Sequence, residues 1–531
     1  MRNDLFVISS ENLEQIQSHL YGYMVTDDGE LVFDRVPAHP SHTGAFVLVE
    51  REPERIMIRQ DFCAAFGLYL WREPGGQRFM LSNSFFLLAE QLRGQLTLNE
   101  DYALAYTFAF QSPITASDTL ANEVVRLPSS AFVLIDIPNR TAHAGNVAYP
   151  YYTRNLAAPG SLRRLDEWYE KWVRTVRNAA EQGLPLYADL SGGLDTRINL
   201  SLLRNARLEQ GRNVRMLTHK QARISKDVAD LRIAEQIAGE LGFELGNSDA
   251  LFEPRVPSDS TTEPLESIRL LTFGSTVMAK YQWAEQTSPI VWLKGVGSTI
   301  KGGFWKSPKV ALDVFQNVAD KAAPTDAIRE RVRSYNARVV RTLLSDYHHP
   351  LASHRATYLY KKASIELRDM KKVTSWLSQN LFALSPFMDP VIAEFDYDPL
   401  NYDVLGLCAR ILDRYDARLL DFPVENRRFM PGTIPAARAL NAARPWQALS
   451  FEPLAGMPDE VPSHGPTSLE LAREAQHIWT REDFVPRVGR IVGEDYAARV
   501  VAEVDLEHIN VGIQPINALL ALYEFSQLVE G

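Results

Sequence analysis

The first part of the chain consists of short apolar runs separated by turn residues. Runs with the length and composition of strands occur at residues 45–49, 55–59, 67–71 and 78–81, and the turn pair Gly75-Gly76 separates the last two. The same pattern predicts a helix at residues 102–110 and a further strand at residues 131–135. Apolar strands joined by turns predict layered antiparallel sheets, a sandwich, for this part of the protein.

Strands and helices alternate beyond residue 160. We predict a helix at residues 165–181, and a strand at residues 185–190 that turns through glycines into a helix at residues 195–205. Further strands are predicted at residues 214–218, 243–245 and 290–293. Between the first two lies a helix that ends at Gly242, with a buried face of Val228, Leu231, Ala234, Ala238 and Leu241. This alternation predicts a parallel, doubly wound sheet, and hence an α/β fold class.

Helical patterns dominate from residue 310 to the end. The last predicted helix has Pro515 near its first turn and carries one apolar stripe of Ile516, Leu519, Leu520 and Tyr523. A chain of 531 residues exceeds one ordinary core, so two domains are expected. Because Pro150, Pro159 and Gly160 cluster where the pattern changes, we predict domains at residues 1–155 and 160–531.

Composition and charge narrow the class of protein. The hydrophobic content of 46% and charged content of 23% are typical of a soluble globular protein. The net charge of −10 argues against a nucleic-acid partner. Cys63 and Cys408 form no disulfide framework or metal-ligand pattern, and no apolar run has the length of a signal peptide or a membrane span. We therefore expect a cytoplasmic protein with no membrane partner and a possible homo-oligomeric state.

The stretch that begins at Ser191 carries the clearest chemistry. Gly192 and Gly193 allow a sharp turn and a close approach of the backbone to a ligand. The first N–H groups of the following helix attract negative charge, and Ser191 and Thr196 add hydroxyl donors, so the loop is suited to hold phosphate. Asp195 would repel phosphate unless Mg²⁺ lay between them, which predicts a magnesium ligand. The alternative is a tight strand-to-helix turn in which Asp195 only begins the helix.

The order Ser-Gly-Gly-Leu-Asp-Thr at residues 191–196 resembles the pyrophosphate-binding motif of the asparagine-synthetase superfamily, which includes asparagine synthetases, β-lactam synthetases and lasso-peptide cyclases. The resemblance extends to residues 44–71, 82–92 and 126–128, which are similar to the family's N-terminal domain, and to Ser-Pro-Phe-Met-Asp at residues 385–389. It implies an N-terminal domain of the Ntn-hydrolase (glutaminase) type and an ATP-pyrophosphatase-type domain rich in helices.

The resemblance also implies an activity and a set of site residues. Family members use ATP to activate a carboxylate as an acyl-adenylate, release pyrophosphate, and form an amide when an amine attacks. The implied cofactors are ATP and Mg²⁺, and the implied substrates are a small-molecule or peptide carboxylate and an amine. Asp195 is the implied metal ligand. The residues implied to bind the nucleotide are Leu190, Ser191, Gly192, Gly193, Leu194, Asp195, Thr196, Leu217, Gly295, Gly297, Ser298 and Thr299.

The sequence departs from the family at three points. Glutamine-dependent members begin with a cysteine nucleophile, whereas this sequence begins Met1-Arg2-Asn3, so a degenerate glutaminase-like domain without glutamine hydrolysis is expected. Thr299 stands where the family has an acidic second magnesium ligand. The family's catalytic lysine has no clear counterpart, and the candidates are Lys301, Arg427 and Arg428, with Lys306 as a further substitute.

These departures keep two alternatives open: a non-catalytic or impaired relative that acts as a binding or scaffold protein, and an amidotransferase that uses ammonia. Two other groups of residues are interpreted as surface features. A solvated helix face is expected for the basic residues Lys361, Lys362, Arg368, Lys371 and Lys372. A surface loop is expected for His348, His349 and His354.

Overall fold

The structure is a computed structural model. It describes residues 5–33, 35–75, 78–108, 115–208, 214–218, 225–247, 290–297, 306–377, 381–396, 405–424, 429, 431–442, 445–452, 475–504 and 509–530. In these ranges the protein is a mixed α/β structure with antiparallel sheets in its N-terminal part and a parallel sheet beyond it.

Two antiparallel sheets form the N-terminal part. The first has the strand order β1-β7-β6-β8 and contains Val7–Ser9 (β1), Leu68–Arg72 (β6), Phe79–Ser82 (β7) and Val124–Leu127 (β8). The second has the order β10-β9-β5-β4-β2-β3 and contains His19–Val25 (β2), Leu31–Val32 (β3), Thr43–Arg51 (β4), Arg55–Gln60 (β5), Ala131–Asp136 (β9) and Thr141–Asn146 (β10). The predicted antiparallel sheets are therefore present.

Alternating side chains connect the first sheet to two different cores. Leu68 and Leu70 of β6 enter a core shared with Val47, Ile58 and Val133 of the second sheet. Tyr69 and Trp71 of β6, together with Val124 of β8, pack against helices instead, as expected for a strand buried on both faces. Those helices include Phe85–Gln91, Glu100–Phe108 and the C-terminal Ile509–Glu530.

A five-stranded parallel sheet follows. It consists of Leu186–Asp189 (β12), Val214–Thr218 (β13), Gly246–Asn247 (β14), Ile290–Leu293 (β15) and Leu381–Leu384 (β16), in the order β14-β13-β12-β15-β16. The prediction of a parallel sheet is confirmed, but the strand expected at residues 243–245 begins only at Gly246. The chain leaves its helix at Gly242 with φ +77°, and residues 243–245 form the connection.

Helices surround this sheet and form most of the remaining structure. Two parallel two-residue strands, Arg154–Asn155 (β11) and Phe395–Asp396 (β17), also pair. The main helices are Pro159–Glu181, Leu194–Asn205, Ser225–Leu241, Pro308–Ala322, Asp326–Ser345, Ala352–Tyr360, Met370–Leu377, Pro390–Glu394, Gly406–Asp416, Thr433–Ala442, Phe484–Val492 and Glu494–Ala502, and a π-helix spans Lys361–Asp369. Pro515 lies inside the last helix and not in its first turn, because that helix already begins at Ile509. No helix in the described ranges has the length and apolar character needed to cross a membrane.

Buried polar contacts join the N-terminal sheets to the parallel sheet. The Tyr23 hydroxyl donates to the Ala383 carbonyl over 2.6 Å, and the Tyr23 ring packs edge-on against Phe382. The Lys171 ammonium lies 3.0 Å from the Asp389 carboxylate and also donates to Thr43. These contacts, together with one continuous hydrophobic core, fix the N-terminal sheets against the sheet that carries the candidate site.

Candidate functional site

The glycine loop lies where the order of the parallel sheet reverses. Strand β12 comes first along the chain, β13 and β14 follow on one side of it, and β15 and β16 lie on the other side. In open parallel sheets, such a reversal opens a crevice at the carboxyl ends of the two central strands, and ligands bind there. The loops after β12 and β15, residues 190–193 and 294–297, form the two described walls of this crevice.

Hydrogen bonds within the first loop hold its backbone in shape. The Leu190 N–H donates to the Leu217 carbonyl over 2.7 Å, which fixes the start of the loop to β13. The Thr196 hydroxyl accepts from the Ser191 N–H over 3.2 Å and donates to the Gly193 carbonyl over 3.0 Å. The Ser191 Oγ accepts from the Gly193 N–H over 3.1 Å. The two hydroxyls therefore shape the turn in this structure.

Hydrogen bonds from the Arg197 side chain also stabilise the loop. Its guanidinium is fully buried and donates to the carbonyls of Gly192, Leu419 and Phe422 over 3.0–3.1 Å, and also to that of Pro423. Burial lowers the pKa of Arg197 to about 10. The side chain still carries its charge at neutral pH, and it links the loop to the segment after Gly406–Asp416.

Asp195 contacts both walls of the crevice. A Cβ atom added at Gly295 would lie 2.1 Å from Asp195 Oδ2, and one added at Gly193 would lie 2.8 Å from Asp195 Oδ1. Both distances are shorter than Cβ atoms adopt, so the carboxylate occupies the position of an added Cβ and would have to move if either glycine were replaced. Glycine is favoured at position 297 for a different reason: its φ of +77° lies in the left-handed region, and a Cβ there would lie 2.8 Å from Met388 Cγ.

A second carboxylate reaches the loop from the next helix. Asp230, in the helix Ser225–Leu241, accepts a hydrogen bond of 2.7 Å from the Gly192 N–H. An anion therefore contacts the backbone of this turn, as expected for an N–H group at the start of a helix.

Charged residues also line the ends of the two central strands. Lys294 Nζ lies 2.7 Å from Asp189 Oδ2 and 3.0 Å from the centroid of the Trp292 ring. Trp292 Nε1 donates to Asp189 Oδ1 over 2.8 Å. The Lys294 N–H donates to the Leu384 carbonyl, and Ser385 Oγ donates to the Val296 carbonyl, so β16 supports the second loop. Of the expected Ser-Pro-Phe-Met-Asp element, Ser385 thus lies beside the crevice, whereas Asp389 is a buried structural carboxylate.

The structure brings together most of the predicted site residues. The residues within or beside the two crevice loops are Leu190, Ser191, Gly192, Gly193, Leu194, Asp195, Thr196, Leu217, Gly295 and Gly297. Ser298, Thr299, Lys301, Arg427 and Arg428 lie outside the described residues.

Sequence reasoning missed four charged residues of the crevice: Asp189, Arg197, Asp230 and Lys294. A carboxylate at the end of the strand 186–189 and a lysine just before Gly295 were visible signals. No sequence signal indicated that Asp230 and Arg197 lie at the crevice, because their hydrogen-bond partners depend on how the helices pack.

Lys361 and Lys362, two of the basic residues expected on a solvated helix face, are buried instead. Lys361 and Lys362 both contact Glu366, at 2.6 Å and 2.9 Å, and Ser129 Oγ donates to the same carboxylate over 2.8 Å. Burial alone would raise the pKa of Glu366, but the two ammonium charges outweigh burial and lower it to about 2. The physical reason is that the Lys361–Asp369 π-helix packs against the N-terminal part, whose Phe62 carbonyl accepts from Lys361. The side chains of Arg368, Lys371 and Lys372 lie outside the described part.

The surface loop expected for the histidines is present for His348 and His349, which lie between the helices Asp326–Ser345 and Ala352–Tyr360 with His348 exposed, but His354 lies in the second helix. His354 is fully buried, its Nε2 lies 2.6 Å from Asp396 Oδ1, and its ring stacks on His349 with centroids 4.3 Å apart. The Ala352–Tyr360 helix places His354 toward the short parallel pair that contains Asp396, which explains its burial. Among residues with described positions, no group of three or more His, Cys, Asp and Glu side chains is arranged to hold a metal ion.

Comparisons with known proteins do not identify the chain. No model of a protein family matches it, and no curated protein matches it in sequence. The resemblance to the asparagine-synthetase superfamily therefore remains a prediction from the motifs, to be judged by the geometry of the crevice.

Proposed function

We propose that this protein is an ATP-dependent carbon–nitrogen ligase that forms an amide or lactam bond through an acyl-adenylate and releases AMP and pyrophosphate. The observation that carries the proposal is the contact of Asp195 with Gly295 across the crevice. It brings the one predicted magnesium ligand to the loop after β12 and against the loop after β15. A tight turn alone does not account for a carboxylate placed against the opposite loop.

The residues of the crevice fit a magnesium nucleotide. Gly193 and Gly295 leave the space that the Asp195 carboxylate fills, so the proposed metal ligand lies between the two loops. The N–H groups at the start of Leu194–Asn205 favour an anion. Mg²⁺ commonly takes one or two protein carboxylates together with phosphate oxygens and water, so Asp195 is a sufficient starting ligand. When bound, the ion would neutralise charge on the phosphates.

The charge of the crevice favours the metal complex over the free nucleotide. Asp189, Asp195 and Asp230 carry three negative charges, and Lys294 and Arg197 carry two positive charges. The described side chains thus leave an excess of one negative charge. Because like charges repel, a polyphosphate should enter this crevice only together with a divalent cation.

Binding of MgATP to the native protein and to Asp195→Asn tests the proposal. Asparagine keeps the shape of the side chain against Gly295 but removes the charge, so a loss of binding reports on the carboxylate itself. We expect titration calorimetry to show micromolar binding that the substitution weakens about tenfold or more, which is about 1.4 kcal/mol. Because the acyl substrate could bind first, the titration is repeated with candidate carboxylates present, and pyrophosphate release is measured.

One contact favours the alternative of a binding or scaffold protein. The Asp230 carboxylate already accepts the Gly192 N–H, a donor that phosphate would otherwise use. If neither MgATP nor MgATP with carboxylates binds, while Asp230→Asn also fails to allow binding, the ligase proposal is refuted and the scaffold alternative is favoured. If Asp230→Asn restores binding, the carboxylate competes with the nucleotide and the proposal stands. Ammonia as the amine is tested in the same pyrophosphate assay.

A further inference from the structure

The charged pair at the ends of the two central strands is unusual for its position. Tyr187 pairs with Trp292 and Ala188 with Leu293, so Asp189 and Lys294 come next on their strands and lie side by side. Their side chains are 21% and 12% exposed, and thus mostly withdrawn from water. They lie at the carboxyl edge, directly beside the loops that contain Gly193 and Gly295.

The fold itself does not need a charged pair there. Central strands of parallel sheets are normally apolar on both faces, and the preceding residues Leu186, Tyr187 and Ala188 of this strand are buried in the hydrophobic core. Withdrawing two charges from water costs free energy that their attraction offsets only in part, and apolar residues of similar size often replace such pairs without loss of stability. A pair of this kind at the ligand edge of the sheet is therefore better explained by binding than by stability.

The other described cation of the crevice is committed to the protein backbone. Arg197 is fully buried and donates to four carbonyls, so its charge serves the fold of the loop. Lys294 instead ends in a compact ammonium on a flexible four-carbon stem, the form in which lysine commonly binds phosphate. Its carboxylate partner and the Trp292 ring hold the ammonium at the edge.

We propose that Lys294 binds the phosphates of the nucleotide, and that Asp189 positions its ammonium for this contact. The inference rests on the proposed function, because it assigns a substrate-binding residue to the same crevice. It also supplies a lysine from a described part of the chain for the cationic role sought at Lys301, Arg427 and Arg428. In this arrangement Lys294 is the described cation that contacts the phosphates, and Mg²⁺ would offset the one negative charge by which the described side chains still exceed Lys294 and Arg197.

The test compares ligands that differ in their number of phosphates. Titration calorimetry measures the binding of MgATP, magnesium pyrophosphate and adenosine. The proteins compared are the native protein, Lys294→Met, Asp189→Asn and a control, Lys309→Met, which removes an exposed lysine from the helix Pro308–Ala322. Lys294→Met is expected to weaken both phosphate ligands by roughly ten- to a hundredfold and to leave adenosine unchanged. Asp189→Asn keeps the ammonium and an oxygen acceptor but removes the charge that positions it, so it is expected to weaken phosphate binding by less than Lys294→Met does.

The outcomes separate the inference from the proposed function. If Lys294→Met weakens the binding of adenosine and MgATP equally, the pair has a purely structural role and the inference is overturned. The same holds if Lys294→Met and Asp189→Asn weaken phosphate binding equally. Native binding of MgATP that Lys294→Met leaves unchanged overturns the inference but not the ligase proposal. If the native protein binds pyrophosphate but not MgATP, and Lys294→Met no longer binds pyrophosphate, the contact of Lys294 with an anion is supported but a nucleotide as the ligand is contradicted. Binding of neither phosphate ligand by the native protein, with or without candidate carboxylates, overturns the inference, and it overturns the ligase proposal as well if Asp230→Asn also fails to bind MgATP.

Discussion

Substitution of Gly295 by alanine tests whether the contact across the crevice controls binding. The new Cβ would lie 2.1 Å from Asp195 Oδ2 and 2.7 Å from Asp195 Cγ. The carboxylate would have to retreat by about 0.9 Å to reach even the 3.0 Å that real Cβ contacts rarely fall below. Because Gly295 does not have a positive φ, the alanine adds little backbone strain, and its effect should act through Asp195.

The expected magnitudes differ for stability and for binding. The group in the way is the end of a side chain, which can rotate, so we expect Gly295→Ala to lower the free energy of unfolding by only about 1 kcal/mol. Rotation moves the carboxylate from the position proposed to hold Mg²⁺, so MgATP binding should weaken about tenfold, or about 1.4 kcal/mol. In an Asp195→Ala background the two nearest atoms are removed and the Asp195 Cβ, at 3.1 Å, remains, so the added Cβ should cost little further binding.

The assay is a double-mutant cycle of Gly295→Ala and Asp195→Ala, with MgATP binding measured by calorimetry and stability by urea unfolding. We expect a coupling energy of about 1 kcal/mol or more, because both changes remove the same contact. Gly239→Ala is the matched control. It lies in the helix Ser225–Leu241 with nothing within 4 Å of an added Cβ, and should stabilise the protein by about 0.5–1 kcal/mol without changing binding. Fully additive losses in the cycle would refute the proposed action through Asp195.

Two further predictions concern the buried charges that join the parts of the protein. Lys171→Met leaves the fully buried Asp389 carboxylate without its cation and should lower the free energy of unfolding, measured in urea, by about 3–5 kcal/mol. The control Arg163→Met removes one partner of an exposed ion pair and should lower it by less than about 1 kcal/mol. Similar losses of stability in the two variants would contradict this reasoning. Glu366 has a lowered pKa of about 2, so its contribution is present above its ordinary value of 4.5 and lost as pH falls towards 2. The stability advantage of the native protein over Glu366→Gln should therefore shrink by about 3 kcal/mol between pH 5 and pH 2, and an advantage that does not change with pH would contradict the assigned pKa.

The kinds of sheet could be predicted because they depend on local patterns. The strand predicted at residues 45–49 lies within Thr43–Arg51, and the one at residues 290–293 coincides with Ile290–Leu293. Alternating strands and helices similarly predict parallel pairing, since a helix returns the chain to the same end of the sheet. The error at Gly246 arose because a two-residue strand has too few positions to show a period.

Strand order and burial of charge could not be predicted, since both depend on residues distant in sequence. Nothing within Leu186–Asp189 indicates that β15 forms its second neighbour, yet that neighbour creates the crevice. The two lysines at the start of Lys361–Asp369 resemble a solvated helix face until Ser129, more than two hundred residues earlier, is brought against them. Local composition describes the helix but not the surface that covers it.

In the candidate site, too, the residues of the local motif could be predicted from the sequence, whereas the contacts made by the fold could not. The motif indicated Asp195 and its glycines, because a phosphate loop needs donors and space within a few residues. It could not indicate the charge balance, which depends on Asp230 from the next helix and on the Asp189–Lys294 pair across two strands. That balance links the two proposals. The described side chains carry one excess negative charge even with Lys294 and Arg197 counted, so a polyphosphate needs a further cation, and Asp195 is the proposed ligand for Mg²⁺. Because Arg197 is bound to backbone carbonyls, Lys294 is the described cation proposed to contact the phosphates directly.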